Sequence, residues 1–207
     1  QLTTALSKIA LPAGGKVGIA VGSRGICNLQ RIVKTTVDVL TKAGFQPFIL
    51  PAMGSHGGAT AEGQRQVVID YGITEEIMGC PIVSSMETVE VGRTERNTPV
   101  YLSKTALEAD AIIPINRVKS HTLFSGPVES GLMKMTVVGL GKHQGALSFH
   151  AEMTKQSPSA TLVEMSHILF KPAHIFFGVA VVENSYDQTA EIKVIPVDRI
   201  LDEEKKM

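Results

Sequence analysis

The stretch KVGIAVGSRGICNLQRIVKTTVDVLTKAGFQPFILP, residues 16–51, sets the architecture. It opens on a short apolar run, Lys16 to Val21, that suits a buried strand. Leu29, Ile32, Val33, Val37 and Leu40 then recur at the spacing that lines one face of an α-helix. Asn28 stands where a cap is needed, and Gly44 closes the helix. A second apolar run, FQPFILP (45–51), follows at once. Strand, helix and strand with short links form a βαβ unit, whose second strand returns parallel to the first.

The alternation continues outward from this unit. The loop MGSHGGAT (53–60) leads into a helix from Thr60 to near Gly72, TEEIMG (74–79) is a helical turn, and CPIVSS (80–85) is a third candidate strand. TVEVGRTERNTPVYLSK (88–104) reads as a hairpin with Arg96 to Thr98 near its tip, and TALEADAIIPINRV (105–118) as a helix followed by a strongly apolar strand. In SPSATLVEMSHILF (157–170), Ser157 caps a helix with Leu162, Met165, Ile168 and Leu169 on one face. IFFGVAVVEN (175–184) and AEIKVIPV (190–197) flank the turn SYDQ and form an antiparallel pair. The expected fold is therefore α/β: a mostly parallel, Rossmann-like sheet with helices on both faces and antiparallel hairpin additions, in one domain over residues 1–207. In the tail DRILDEEKKM, Asp198 is placed to cap a helix that has barely begun, so the chain reads as one domain of a longer protein.

Composition narrows the partners. Apolar residues make up 43% and charged residues 19%, enough for a substantial core. Lys plus Arg and Asp plus Glu both number 20, which removes the electrostatic case for nucleic acid or an anionic membrane. Aromatics at 5% and the absence of Trp argue against base-stacking or carbohydrate platforms. Cys27 and Cys80 lie far apart, outside any C-x-x-C pair, so both are expected as small buried side chains rather than metal ligands. No apolar run is long enough to span a bilayer and no signal peptide opens the chain, so a cytoplasmic protein is expected.

Chemistry concentrates in the loops that follow strands, where open α/β sheets bind ligands. GSRGICN (22–28) exposes Arg24 beside free helix N–H groups, a place for a carboxylate or phosphate. The glycines at 18, 22 and 25 lack dinucleotide-fingerprint spacing, and GLGKHQG (139–145) is no phosphate loop. MGSHGGATAEGQ (53–64) presents His56 among glycines, and His121 comes directly after the strand ADAIIPINRV (109–118). These junctions deliver Arg24, His56 and His121 towards one crevice, where paired imidazoles could act as acid and base. Lys134, among Leu132, Met133, Met135 and Val137, is either a partly desolvated, nucleophilic amine or, more commonly, a snorkelling lysine. His150 has no His, Cys or carboxylate at zinc-like spacing, so a metal there needs a cofactor to complete its ligands. His167 and His174 read as structural.

The segments AVGSRGI (20–26), PAMGSHGGATAEGQ (51–64), GITEEIMGCPI (72–82), INRVKSHTLFSG (115–126), ESGLMKM (129–135) and GLGKHQGA (139–146), in this order, resemble the N-terminal domain of the nickel-dependent lactate racemase family. The resemblance runs from about Lys16 to the end of the chain. It implies a nickel pincer nucleotide joined covalently to Lys134, with Ser130 and Gly131 preceding it in the cofactor segment, and His150 completing the nickel coordination. It further implies that His56 and His121 are the acid/base pair and that Arg24 binds the substrate carboxylate. The implied reaction is racemisation or epimerisation of lactate or a related 2-hydroxy acid by reversible hydride transfer. A C-terminal domain of the same protein would be the partner, and this domain alone is expected to lack the cofactor. Val21 and Leu132 depart from the family pattern, which has an acidic residue and a glycine there. Two other readings stand beside it: a non-catalytic nucleotide- or anion-binding module, and an enzyme of related fold that uses Lys134 without nickel.

Overall fold

The computed structural model describes residues 1–122 and 124–207. The first half comprises α1 (Leu2–Leu6), β1 (Lys16–Val21), α2 (Leu29–Lys42), β2 (Gln46–Pro51), α3 (Ala61–Asp70) and α4 (Glu75–Met78), then β3 (Thr88–Arg93) and β4 (Pro99–Ser103). The second comprises α5 (Lys104–Leu107), β5 (Ala111–Arg117), α6 (Leu132–Lys134), α7 (Lys142–Glu152), α8 (Pro158–Phe170), β6 (Phe177–Glu183), β7 (Thr189–Pro196) and α9 (Ile200–Glu204). One sheet has the order β2-β1-β5-β6-β7, parallel except for the β6–β7 pair, and β3 and β4 form a separate antiparallel hairpin. From β1 the chain steps to β2 on one side and later returns to β5 on the other. The crevice between the carboxyl ends of β1 and β5 is thus a topological switch point, where such sheets bind ligands.

Both faces of the sheet are covered, as the near-continuous apolar strands require. Val17, Ile19 and Val21 of β1, with Ala111, Ile113 and Ile115 of β5, pack beneath Leu29, Val33, Val37 and Leu40 of α2. The opposite face carries Phe48, Leu50 and Ile112 against Leu132 and Met133 of α6, Phe149 of α7 and Leu162 and Met165 of α8. Fully burying side chains of this size stabilises the fold by roughly 1.5–3 kcal/mol each. Gly178 of β6 lets α6 sit close, since a Cβ there would stand 2.7 Å from Leu132 Cδ1.

The βαβ unit, the hairpin and the final antiparallel pair form as their patterns require. Thr60 and Ser157 cap their helices by accepting the N–H groups of Gly63 and Ala160. Four local expectations need correction. CPIVSS is not a strand: only Ile82 bridges to Ile49 of β2, through Ile49 N–H to Pro81 O and Val83 N–H to Ile49 O, both 2.8 Å. Pro81 has no N–H to extend the ladder. Asn28 occupies the cap position of α2 at φ 60°, yet its amide donates to Thr189 Oγ1 (3.0 Å) rather than serving the helix. Asp198 lies inside a 3-10 turn, Val197–Arg199, and caps nothing. Cys80 is buried, which pushes its thiol up to about 11, but Cys27 is only half-buried. No described helix is long and apolar enough to cross a membrane.

Candidate active site

The adjacent strands β2, β1 and β5 end side by side, and their following loops enclose a cavity of about 360 Å³. Arg24 enters it from the β1 loop, His56 from the β2 loop, and Asn116, Lys119 and His121 from the end of β5 and its loop. Lys134 of α6 and Ser130 just before it supply another wall. Five of the residues singled out in the sequence, Arg24, His56, His121, Ser130 and Lys134, thus face one space at the switch point, whereas Gly131 is not among its lining residues.

Each is held by local chemistry. The β1 loop is tied down where Tyr71 Oη donates to Ser23 O at 2.8 Å. His56 precedes Gly57, whose φ of +63° and contact with the backbone of Gly63 and Gln64 leave no room for a Cβ. His121 donates its backbone N–H to Glu129 (2.6 Å), and its ring stacks on Phe124 with centroids 4.2 Å apart. The N–H groups of His121 and Gly126 hold the Glu129 carboxyl below its ordinary range. Lys134 lies where α6 widens into a π-helical turn, Met135–Gly139, closed by Leu140 N–H to Met135 O at 2.9 Å. Single π turns of this kind are frequent at functional sites.

The side chains share one electrostatic field. Burial lowers the pKa of Lys134, and the positive charges of Arg24 and Lys119 lower it further. His56 is lowered by burial, then by Arg24 and Lys134. His121 is lowered by burial and by Lys134, with Glu129 opposing. Both imidazoles are therefore neutral at pH 7 and able to accept a proton. Among the described residues, Arg24, Lys119 and Lys134 form no ion pair, whereas Arg117 is paired with Glu183. A cavity lined by three cations that form no ion pair suits an anionic ligand.

His150 is not brought into this cavity. It sits on the exposed side of α7, with its ring tilted against Phe149. No group of three or more His, Cys, Asp or Glu among the described residues could hold a metal. His174 bonds Ala109 O at 3.0 Å, a structural role as expected.

Several residues that shape the site escaped the sequence reading. Asn116, the penultimate residue of the apolar strand β5, donates to Gly131 O (2.7 Å), and its polar position at a strand end was the available signal. Glu204 of α9 accepts the N–H of Leu132, so it caps α6 from 72 residues away. A Cβ on Gly131 would overlap that carboxylate, which explains the glycine. No pattern in the polar tail marks Glu204 as a buried residue.

Burial pushes the Glu204 carboxyl up to about 7 from 4.5, so between those values the folded protein keeps a proton that the unfolded chain releases. The associated stability is fully present below pH 4.5 and lost as pH rises through about 7. Glu204→Gln cannot ionise. Relative to the parent it is expected to gain up to about 1.4 kcal/mol per pH unit across that window. Urea unfolding of both proteins against pH measures this; a pH-independent difference would show that folding does not shift the Glu204 pKa.

The chain matches the family model for the lactate racemase N-terminal domain over residues 13–162. Among solved structures, it is similar to the lactate racemase apoprotein from Thermoanaerobacterium thermosaccharolyticum, with a TM-score of 0.73 and 15% sequence identity. The match covers 99% of this chain and 53% of that one, so the chain spans about half the length of that protein. At this identity the likeness establishes the fold. No curated protein sequence matches the chain significantly.

Proposed function

The chain belongs to the lactate racemase N-terminal domain family, and on that premise we propose that it is the substrate- and cofactor-binding part of a racemase or epimerase of a 2-hydroxy acid. The observation that carries this reading is the convergence of Arg24, His56, His121 and Lys134 on one cavity at the switch point. The guanidinium of Arg24 pairs with the substrate carboxylate, and a planar two-point contact would orient C2 and its hydroxyl in the cavity. His56 and His121, both neutral at pH 7, accept the hydroxyl proton, each for one enantiomer, and return it to the product.

The residues present fit most of the cofactor implied by the family. Lys134 offers a half-buried amine whose lowered pKa favours covalent attachment, and Ser130, followed by Gly131, precedes it and lines the same cavity. The cations lining the cavity suit the anionic groups of a nucleotide. His150 is the candidate imidazole for nickel. It stands outside the cavity, on a helix that packs Ala146 against Gly54 one turn earlier. Hydride uptake and return at C2 is the chemistry that a bound nickel pincer nucleotide would supply. Full activity is expected only in protein that carries the C-terminal domain.

Full-length protein, prepared with the cofactor pathway, tests the proposal by metal analysis, intact mass and loss of optical activity on a panel of chiral 2-hydroxy acids. Nickel, a mass adduct and racemisation are expected together. Protein with neither nickel nor adduct, yet still binding carboxylates or phosphates, would instead be an anion-binding module.

A further inference from the structure

Lys142 is the largest side chain that the fold buries completely. Its backbone adopts φ +56°, a left-handed conformation that favours glycine. Its amine donates to Pro51 O and to Gln64 Oε1. Gln64, also fully buried, donates in turn to Met53 O (2.8 Å) and Gly54 O (3.0 Å), with His56 O at 3.5 Å. No carboxylate among the described residues pairs with the amine.

A buried ammonium served only by neutral acceptors is unfavourable, and a site needing only bulk would be better filled by Leu or Met. Burial accordingly pulls Lys142 down to about 8. What the pair achieves lies in its acceptors. Pro51, Met53, Gly54 and His56 span the segment that leaves β2 and ends at the imidazole lining the cavity. Leaving a strand removes ladder partners from these carbonyls, and buried carbonyls need donors. Two side chains from separate helices, α7 and α3, provide them.

We infer that Lys142 and Gln64 form a buried clamp that positions His56, acting through the backbone of residues 51–56. Its importance for turnover rests on the reading of His56 as a proton-transfer group, but the clamp itself is testable without turnover. Lys142→Met keeps bulk and removes the donor; Gln64→Leu removes the acceptor and the second set of donors. In the intact protein, each variant is expected to speed amide hydrogen exchange within residues 52–59 roughly 10- to 100-fold, leaving β6 and β7 protected. The His56 titration, followed by NMR, should move up towards its ordinary value as the loop moves away from Arg24 and Lys134. His121 should titrate as before.

Unchanged exchange and unchanged His56 titration in either folded variant would overturn the clamp. So would exchange that rises equally in β6 and β7, or failure of both variants to fold, since either result makes the pair a general core element. Local loosening with undiminished racemisation would uphold the clamp and instead remove His56 from the chemistry, so the two readings fail separately.

Discussion

Racemisation of the best 2-hydroxy acid is expected to fall about 10²- to 10⁴-fold in both His56→Ala and His121→Ala, the usual contribution of one general base. Both directions must slow together, because a catalyst cannot move an equilibrium. The two imidazoles enter the cavity from different strands, β2 and β5, on either side of β1. That placement suits one base for each face of a substrate held by Arg24. Because burial and neighbouring cations lower both pKa values, the acid limb of the pH–rate profile should lie below the ordinary histidine value of 6.5. The sign follows from protonation: imidazolium cannot accept the hydroxyl proton, so activity is lost as pH falls through the lowered pKa. Loss of optical activity, measured from each pure enantiomer on the nickel-loaded full-length protein, decides the matter. Two alanine variants with parental rates would return both histidines to the status of ordinary loop residues.

Lys134→Ala is expected to abolish the covalent mass adduct altogether, while the fold persists. The persistence is expected because Lys134 is only half-buried and forms no ion pair, so its removal strands no buried partner. Intact mass of the parent and the variant, with thermal unfolding as the control, separates loss of attachment from loss of structure. Lys142, the nearby lysine most open to confusion with it in the sequence, is buried and engaged with Pro51 and Gln64, away from the cavity wall. An adduct that survives in Lys134→Ala would therefore point to Lys119, the other lysine lining the cavity.

How much of this was legible beforehand varies with the range of the interaction responsible. The strand–helix–strand order at residues 16–51 depends on periodicity and turn residues within a few positions, and it formed as read. Arg24, His56 and His121 were recognisable because each follows a strand, and strand ends converge by the geometry of a parallel sheet. CPIVSS was misread because a short apolar run suits a strand, while pairing needs a neighbour with free N–H and carbonyl groups in register, and β2 offers it one residue. Asn28 and Asp198 are cap-forming residue types whose side chains or backbones were claimed by other contacts.

The sequence by itself determined the βαβ unit, the hairpin, the final antiparallel pair and the strand ends at which polar groups gather, because these follow from local spacing and from residues that tolerate few conformations. The order β2-β1-β5-β6-β7, and hence the position of the crevice, is visible only in the tertiary structure, because it depends on pairing between strands far apart in the chain. The tertiary structure alone assigned the burial of Lys142, its bond to Gln64, the capping of α6 by Glu204 and the exposed position of His150. The first three depend on groups far apart in the chain, and the pKa values of Lys142 and Glu204 are shifted by burial that no short stretch of residues encodes. A lysine on paper is a solvated cation; surrounded on every side by packed chain, it becomes a fixed donor in the floor of a loop.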